Sequence, residues 1–100
     1  MSGYVVELAP AAEGDIGDAF LWYRERNAPI ADAFRAEVFD TIDRIADAPL
    51  AKGADEEGNR KRVLHRFPYS VIYEVLGSTV TILAIAHHRR KPRYWRSRTA

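Results

Sequence analysis

The spacing of apolar residues changes character along this chain. "YVVEL" (4–8) is a short β-rich run and predicts a first strand. In "APAAEGDIGDAFLWYRER", Ala12, Ile16, Ala19, Phe20 and Tyr23 recur at helical spacing, with Pro10 placed to open the helix. Asp15 and Asp18 lie early and Arg24 and Arg26 late, which suits the helix dipole. Gly14 and Gly17 each cost about 1 kcal/mol relative to Ala in a helix interior. Such a cost is usually accepted where another backbone packs close, and that is the expectation here. "NAPI" breaks the helix and Pro29 can start a second, whose stripe is Phe34, Val38, Ile42 and Ile45, widened by Phe39 and Ala46. Glu37, Asp40, Asp43 and Asp47 are expected on its solvated face. The short link makes the two helices a hairpin. Residues 47–60 then read as one long loop.

Three strands follow: "KRVLHRF" into "PYSVIYEVL", then "TVTILAIAHH" after a Gly77-Ser78 turn. A two-residue hairpin makes paired residue numbers sum to 155. One face then carries Tyr69, Val71, Tyr73, Val75, Val80, Ile82, Ala84 and Ala86. The other carries Ser70, Ile72, Glu74, Thr81, Leu83, Ile85 and His87. The first face is the more apolar, so the helices belong against it. The second keeps Ile72, Leu83 and Ile85, and is either a surface for a partner or an ordinary open face. The order β-α-α-β-β-β predicts an α+β fold, a helical hairpin on a mostly antiparallel sheet, as a single domain over residues 1–100.

A chain of 100 residues can bury one modest core. With no cysteine, a disulfide framework and a thiolate metal site are excluded, and a reducing compartment fits. No apolar run approaches the roughly 18 residues of a membrane span, and no signal pattern opens the chain. The expectation is a cytoplasmic protein without a membrane partner. Charge is uneven. Residues 1–50 hold four arginines against ten acidic groups, a net −6, and residues 51–100 hold eleven Lys or Arg against four acidic groups, a net +7. The partner of the second half is expected to be acidic, a nucleic acid or an acidic protein segment.

The chemistry that could be built is limited. Metal-free RNA cleavage needs groups that take and give protons near neutrality, and a cation for the phosphorane. His65, His87 and Arg89 are the candidates. His87 and Arg89 share strand parity, and His65 joins them only if the Phe67-Pro68 corner turns tightly. The plainer reading makes these histidines surface groups at strand ends. His87 and His88 point to opposite faces and no acidic cluster joins them, so no metal and no cofactor is expected.

The close of the chain is the stronger signal. Arg89, Arg90, Lys91, Arg93, Arg96 and Arg98 surround Tyr94 and Trp95. Arginine forks and planar aromatic anchors are enriched at interface hot spots. A solvated end is the plain alternative, and Trp95 argues against it. The tail is therefore expected to contact a target and to be separable from the fold. "NRKR" (59–62) is a second basic knot that could extend the positive surface.

The ordered set of pieces resembles the RelE/ParE toxin superfamily of type II toxin–antitoxin systems, and its ParE branch more closely. It consists of "LAPAAEGDI", Tyr23, "ADAPLAKG", "RVLHRFPYSVIYEV" and "ILAIAHHRRKPRYW", and covers nearly the whole chain. The resemblance implies a toxin that inhibits DNA gyrase by protein contact without a known catalytic set, with the tail residues 89–91, 93–96 and 98 meeting the target. It implies a cognate antitoxin that wraps the toxin, with contacts at Phe20, Tyr23, Arg62, Arg66 and Tyr73. RelE-like members instead cut mRNA on the ribosome. This chain departs from them: it lacks a dense lysine array, the one carboxylate of its three later strands is Glu74, and Tyr94 is followed by more basic residues. A basic RNA-binding module is the third class open to this pattern.

Overall fold

A computed structural model describes residues 3–91 and 93–98, residues 97 and 98 by backbone alone. The elements are β1 (Val5–Leu8), α1 (Pro10–Arg26), α2 (Ala28–Asp47), β2 (Asn59–Val63), β3 (Tyr69–Leu76), β4 (Thr79–His87) and a 3-10 helix (Tyr94–Arg98). The sheet order is β1-β4-β3-β2, with β1 parallel to β4 and the other pairs antiparallel. The helical hairpin covers one face, so the α+β architecture read from the sequence is the one observed.

The hairpin turns on one residue. Pro10 occupies the first turn of α1, where its missing N–H removes no helical bond. At the other end Asn27 is extended and its N–H donates to the Tyr23 carbonyl at 2.7 Å, closing α1. The same Asn27 caps α2, its side-chain oxygen accepting the Ile30 N–H at 3.3 Å. Against the sheet the hairpin places Ala12, Ile16 and Ala19 from α1 and Phe34, Val38, Ile42 and Ile45 from α2. They meet Leu64, Val71, Tyr73, Val80, Ile82 and Ile85. Burying each large aliphatic or aromatic side chain contributes about 1.5–3 kcal/mol.

Two expectations about this packing are corrected. A Cβ built at Gly14 or Gly17 meets nothing within 4 Å, so neither glycine serves close backbone packing. Glu37 leaves the solvated face of α2 and is only 9% exposed. Its carboxylate turns inward because the corner after β2 offers backbone donors there.

The β3–β4 register also departs from the two-residue hairpin rule. Gly77 takes the left-handed conformation that such a turn requires (φ 59°). Paired numbers sum to 155 from Leu76↔Thr79 to Tyr73↔Ile82, and to 156 from Ile72↔Ala84 to Tyr69↔His87. One extra residue in β4, a β-bulge at Leu83, causes the change. Side-chain parity inverts past it. Ile85 and His87 therefore face the helices, while Ala84 and Ala86 join Ile72 and Leu83 on the open face.

Candidate functional site

The open face of the sheet is not bare. Ile72, Leu83, Ala84 and Ala86 form a second small cluster, and Tyr94 and Trp95 of the 3-10 helix pack onto it. The chain reverses to reach it through Arg93, which has φ 61°, a conformation rare outside glycine. Two ion pairs fix the return. Glu57 Oε1 lies 3.1 Å from Arg93 Nη1 and 2.8 Å from Arg96 Nη2. Arg90 lays its guanidinium over the Tyr94 ring at 4.0 Å. The loop presenting Glu57 is itself tied, since Asp55 Oδ1 accepts the N–H groups of Glu57 and Asn59, each at 2.9 Å. Burial pushes the Asp55 carboxyl up, but those N–H groups, with Arg93 and Arg96, hold it below its ordinary value.

The expectation of a separable tail is thus corrected. Trp95 is part of the packing, and Arg93 and Arg96 have an internal carboxylate. Arg89, Arg90 and Lys91 are exposed in the turn after β4. The side chain of Arg98 lies outside the described residues.

Beneath the tail the open face forms two adjoining clefts. One, of about 350 Å³, is lined by Lys61, Ser70, Ile72, His88, Arg90 and Trp95 among others. The other, of about 520 Å³, is lined by Lys52, Asp55, Asn59, Arg60, Lys61 and Trp95 among others. The basic knot 59–62 supplies Lys61 to this face. Arg62 pairs with Val71 and so lies on the helix side of the edge strand β2, while Arg60, paired with Tyr73, reaches the Lys52 carbonyl and lines the second cleft.

The histidines are dispersed. His87 packs edge-on against Tyr69, ring centres 4.9 Å apart, and its Nδ1 accepts the Arg89 N–H at 3.0 Å. It borders a cleft of about 510 Å³ with Asp18, Trp22, Tyr23 and Tyr69. His88 lies across the sheet, its Nε2 2.9 Å from Ser70 Oγ. His65 is exposed at the Leu64–Phe67 corner, beside Glu37, Asp40 and Arg44. His65 and His87 line different clefts, and β4 ends at His87, so strand parity does not carry to Arg89. Among the described residues no group of three His, Cys, Asp or Glu could hold a metal ion.

The corner at His65 hangs on Glu37. Its Oε2 accepts the N–H of His65 and its Oε1 takes Arg66 Nε at 3.2 Å. Burial pushes the Glu37 carboxyl up. The His65 N–H and the Arg66 side chain and N–H outweigh it and hold the group below its ordinary value.

Of the residues implied as antitoxin contacts, Phe20, Tyr23 and Arg62 are half-buried and Arg66 is exposed. Tyr23 sits in an aromatic stack, with Phe67 at 5.3 Å and Phe34 at 5.4 Å, and burial raises its phenol above the ordinary value. Tyr73 is 0% exposed and supports the sheet from within. It is therefore corrected from a surface contact to a core residue. Sequence reasoning missed Trp22, which is 51% exposed with the Arg26 guanidinium 3.7 Å from its ring. It also missed Glu57, whose partners lie about forty residues away and leave no local signal.

Comparison with known proteins places this geometry. The family model described as the ParE toxin of type II toxin–antitoxin systems, parDE, matches residues 6–92. The chain belongs to the ParE toxin family. A solved structure described as a chromosomal ParDE toxin–antitoxin system from P. aeruginosa is similar in fold, with a TM-score of 0.76 and 18% identity. The match covers 87% of this chain and 98% of that one. No individually curated protein matches. As a ParE-family toxin the chain is a component of a type II toxin–antitoxin system, and among its described residues no helix is long and apolar enough to cross a membrane.

Proposed function

We propose that this ParE-family toxin arrests growth in the cytoplasm by binding DNA gyrase, and that a cognate antitoxin holds it inactive. The family match over residues 6–92 carries the reading. The separation of His65 from His87, which line different clefts, supports action by contact over RNA cleavage, because acid–base catalysis needs its groups around one reacting centre. The target surface is the cationic turn Arg89–Lys91 with the anchored tail beside it. The aromatics there are held rigid, which lowers the ordering cost of binding. The antitoxin meets the basic half with carboxylates and covers Phe20, Tyr23, Arg62 and Arg66.

Expression of the chain alone in bacteria tests this. Loss of negative supercoiling and induction of the SOS response are expected before any mRNA is cut. Early mRNA cleavage with normal supercoiling contradicts it.

A further inference from the structure

The smaller open-face cleft shares Arg90 and Trp95 with the proposed target surface and adds donors from the sheet, Lys61 and Ser70. Ser70 is 3% exposed, and its hydroxyl lies 2.9 Å from His88 Nε2. When that nitrogen carries the proton it donates to Ser70 Oγ, and the hydroxyl hydrogen is then free to point into the cleft. Trp95 lines the same cleft, and its buried indole N–H has no acceptor among the described residues. A buried donor left unmade costs free energy, so a site supplying an acceptor there gains it back. Lys61 approaches from β2 and Arg90 from the turn after β4. No carboxylate lines this cleft among the described residues, and neither Lys61 nor Arg90 has an ion pair in them. The floor, from Val63, Ile72 and Ala86, is apolar, which strengthens any charge interaction above it.

We propose that this cleft binds a phosphoryl oxyanion through Lys61, Arg90, Ser70 and the Trp95 N–H. The group asked for is compact, doubly charged and rich in acceptors, since it meets two cations and two neutral donors together. At about 350 Å³ the cleft admits the phosphate of a small phosphorylated molecule. The site shares Arg90 and Trp95 with the proposed gyrase-contacting surface, but its test contains no gyrase, so the two readings fail separately.

The purified chain, carrying Trp22→Phe so that one indole remains, is titrated with sodium phosphate. The Trp95 indole N–H is followed by NMR, with sodium chloride at matched ionic strength as the control. A saturable downfield shift with phosphate and none with chloride is expected. Lys61→Ala and Ser70→Ala should each weaken binding by about tenfold, the usual scale for one hydrogen bond to a charged group. Arg24→Ala, which removes an equal charge from α1, should leave it unchanged. Lys61 is exposed, so its variant remains informative if Ser70→Ala fails to fold. A second arm uses adenosine monophosphate. Tighter binding than phosphate identifies a nucleotide as the source, and equal binding identifies the free ion; the oxyanion site stands in both cases. Equal shifts with chloride and phosphate, or phosphate binding untouched in Lys61→Ala, would overturn it.

Discussion

Arg96 Nη2 lies 2.8 Å from Glu57 Oε1, and the same oxygen takes Arg93 at 3.1 Å. One loop carboxylate therefore holds two cations of the tail and fixes where Trp95 packs. Neutralising it should release the 3-10 helix. In Glu57→Gln, amide exchange in residues 93–96 should quicken while β3 and β4 stay protected, because the core does not depend on this pair. Unchanged exchange in the tail would show that packing of Trp95 alone holds it.

Cutting the chain after residue 92 should lower the melting temperature. Removal of Tyr94 and Trp95 uncovers Ile72, Leu83, Ala84 and Ala86. For a half-buried indole the expected loss is about 1–2 kcal/mol, and Trp95→Ala should give most of it. Thermal unfolding of both variants checks this. An unchanged melting temperature would restore the picture of a separable tail.

Glu37 should make the fold acid-sensitive. Its carboxyl lies below its ordinary value of 4.5 when folded. It therefore stabilises the fold at neutral pH. That contribution fades as pH falls through the ordinary value and is gone below the folded one. Glu37→Ala leaves the His65 and Arg66 N–H groups without their acceptor, a loss of about 2 kcal/mol at pH 7. Glu37→Gln should flatten the acid limb of a stability–pH curve. An acid limb identical to that of the parent protein would contradict the account.

Gly14→Ala and Gly17→Ala should stabilise. Both sites are helical, and an added Cβ meets nothing within 4 Å. Each gains about 1 kcal/mol from helix propensity, or roughly 4–8 °C in melting temperature for a domain of this size. A lower melting temperature would point to a packing role that the isolated chain does not display.

The elements and their order were legible because Ile16, Phe34, Val38 and Ile82 follow their periods cleanly and Pro10, Asn27 and Gly77 punctuate them. The bulge at Leu83 was not. A single inserted residue leaves an apolar strand apolar, and only pairing with β3 shows that Ile85 and Ala86 have exchanged faces. Glu37 was misplaced for a related reason. Helical spacing put it beside Asp40, but its acceptors were needed by a corner twenty-eight residues away. The tail's basic and aromatic character was plain, while its anchor at Glu57 depends on a contact across the fold. Local rules find what local physics decides; Trp95, Glu57 and Tyr73 take their roles from tertiary packing.

The central claim is inhibition of gyrase by contact. Purified gyrase, relaxed plasmid and ATP, with the chain added in increasing amounts, test it most directly. Supercoiling should fall in proportion to the toxin and be restored by adding the antitoxin, and the His87→Ala toxin should inhibit nearly as well, because inhibition by contact needs no proton transfer. Supercoiling at the full rate in excess toxin, with ribosome-bound mRNA cut by the same preparation and cutting abolished by His87→Ala, would contradict the account.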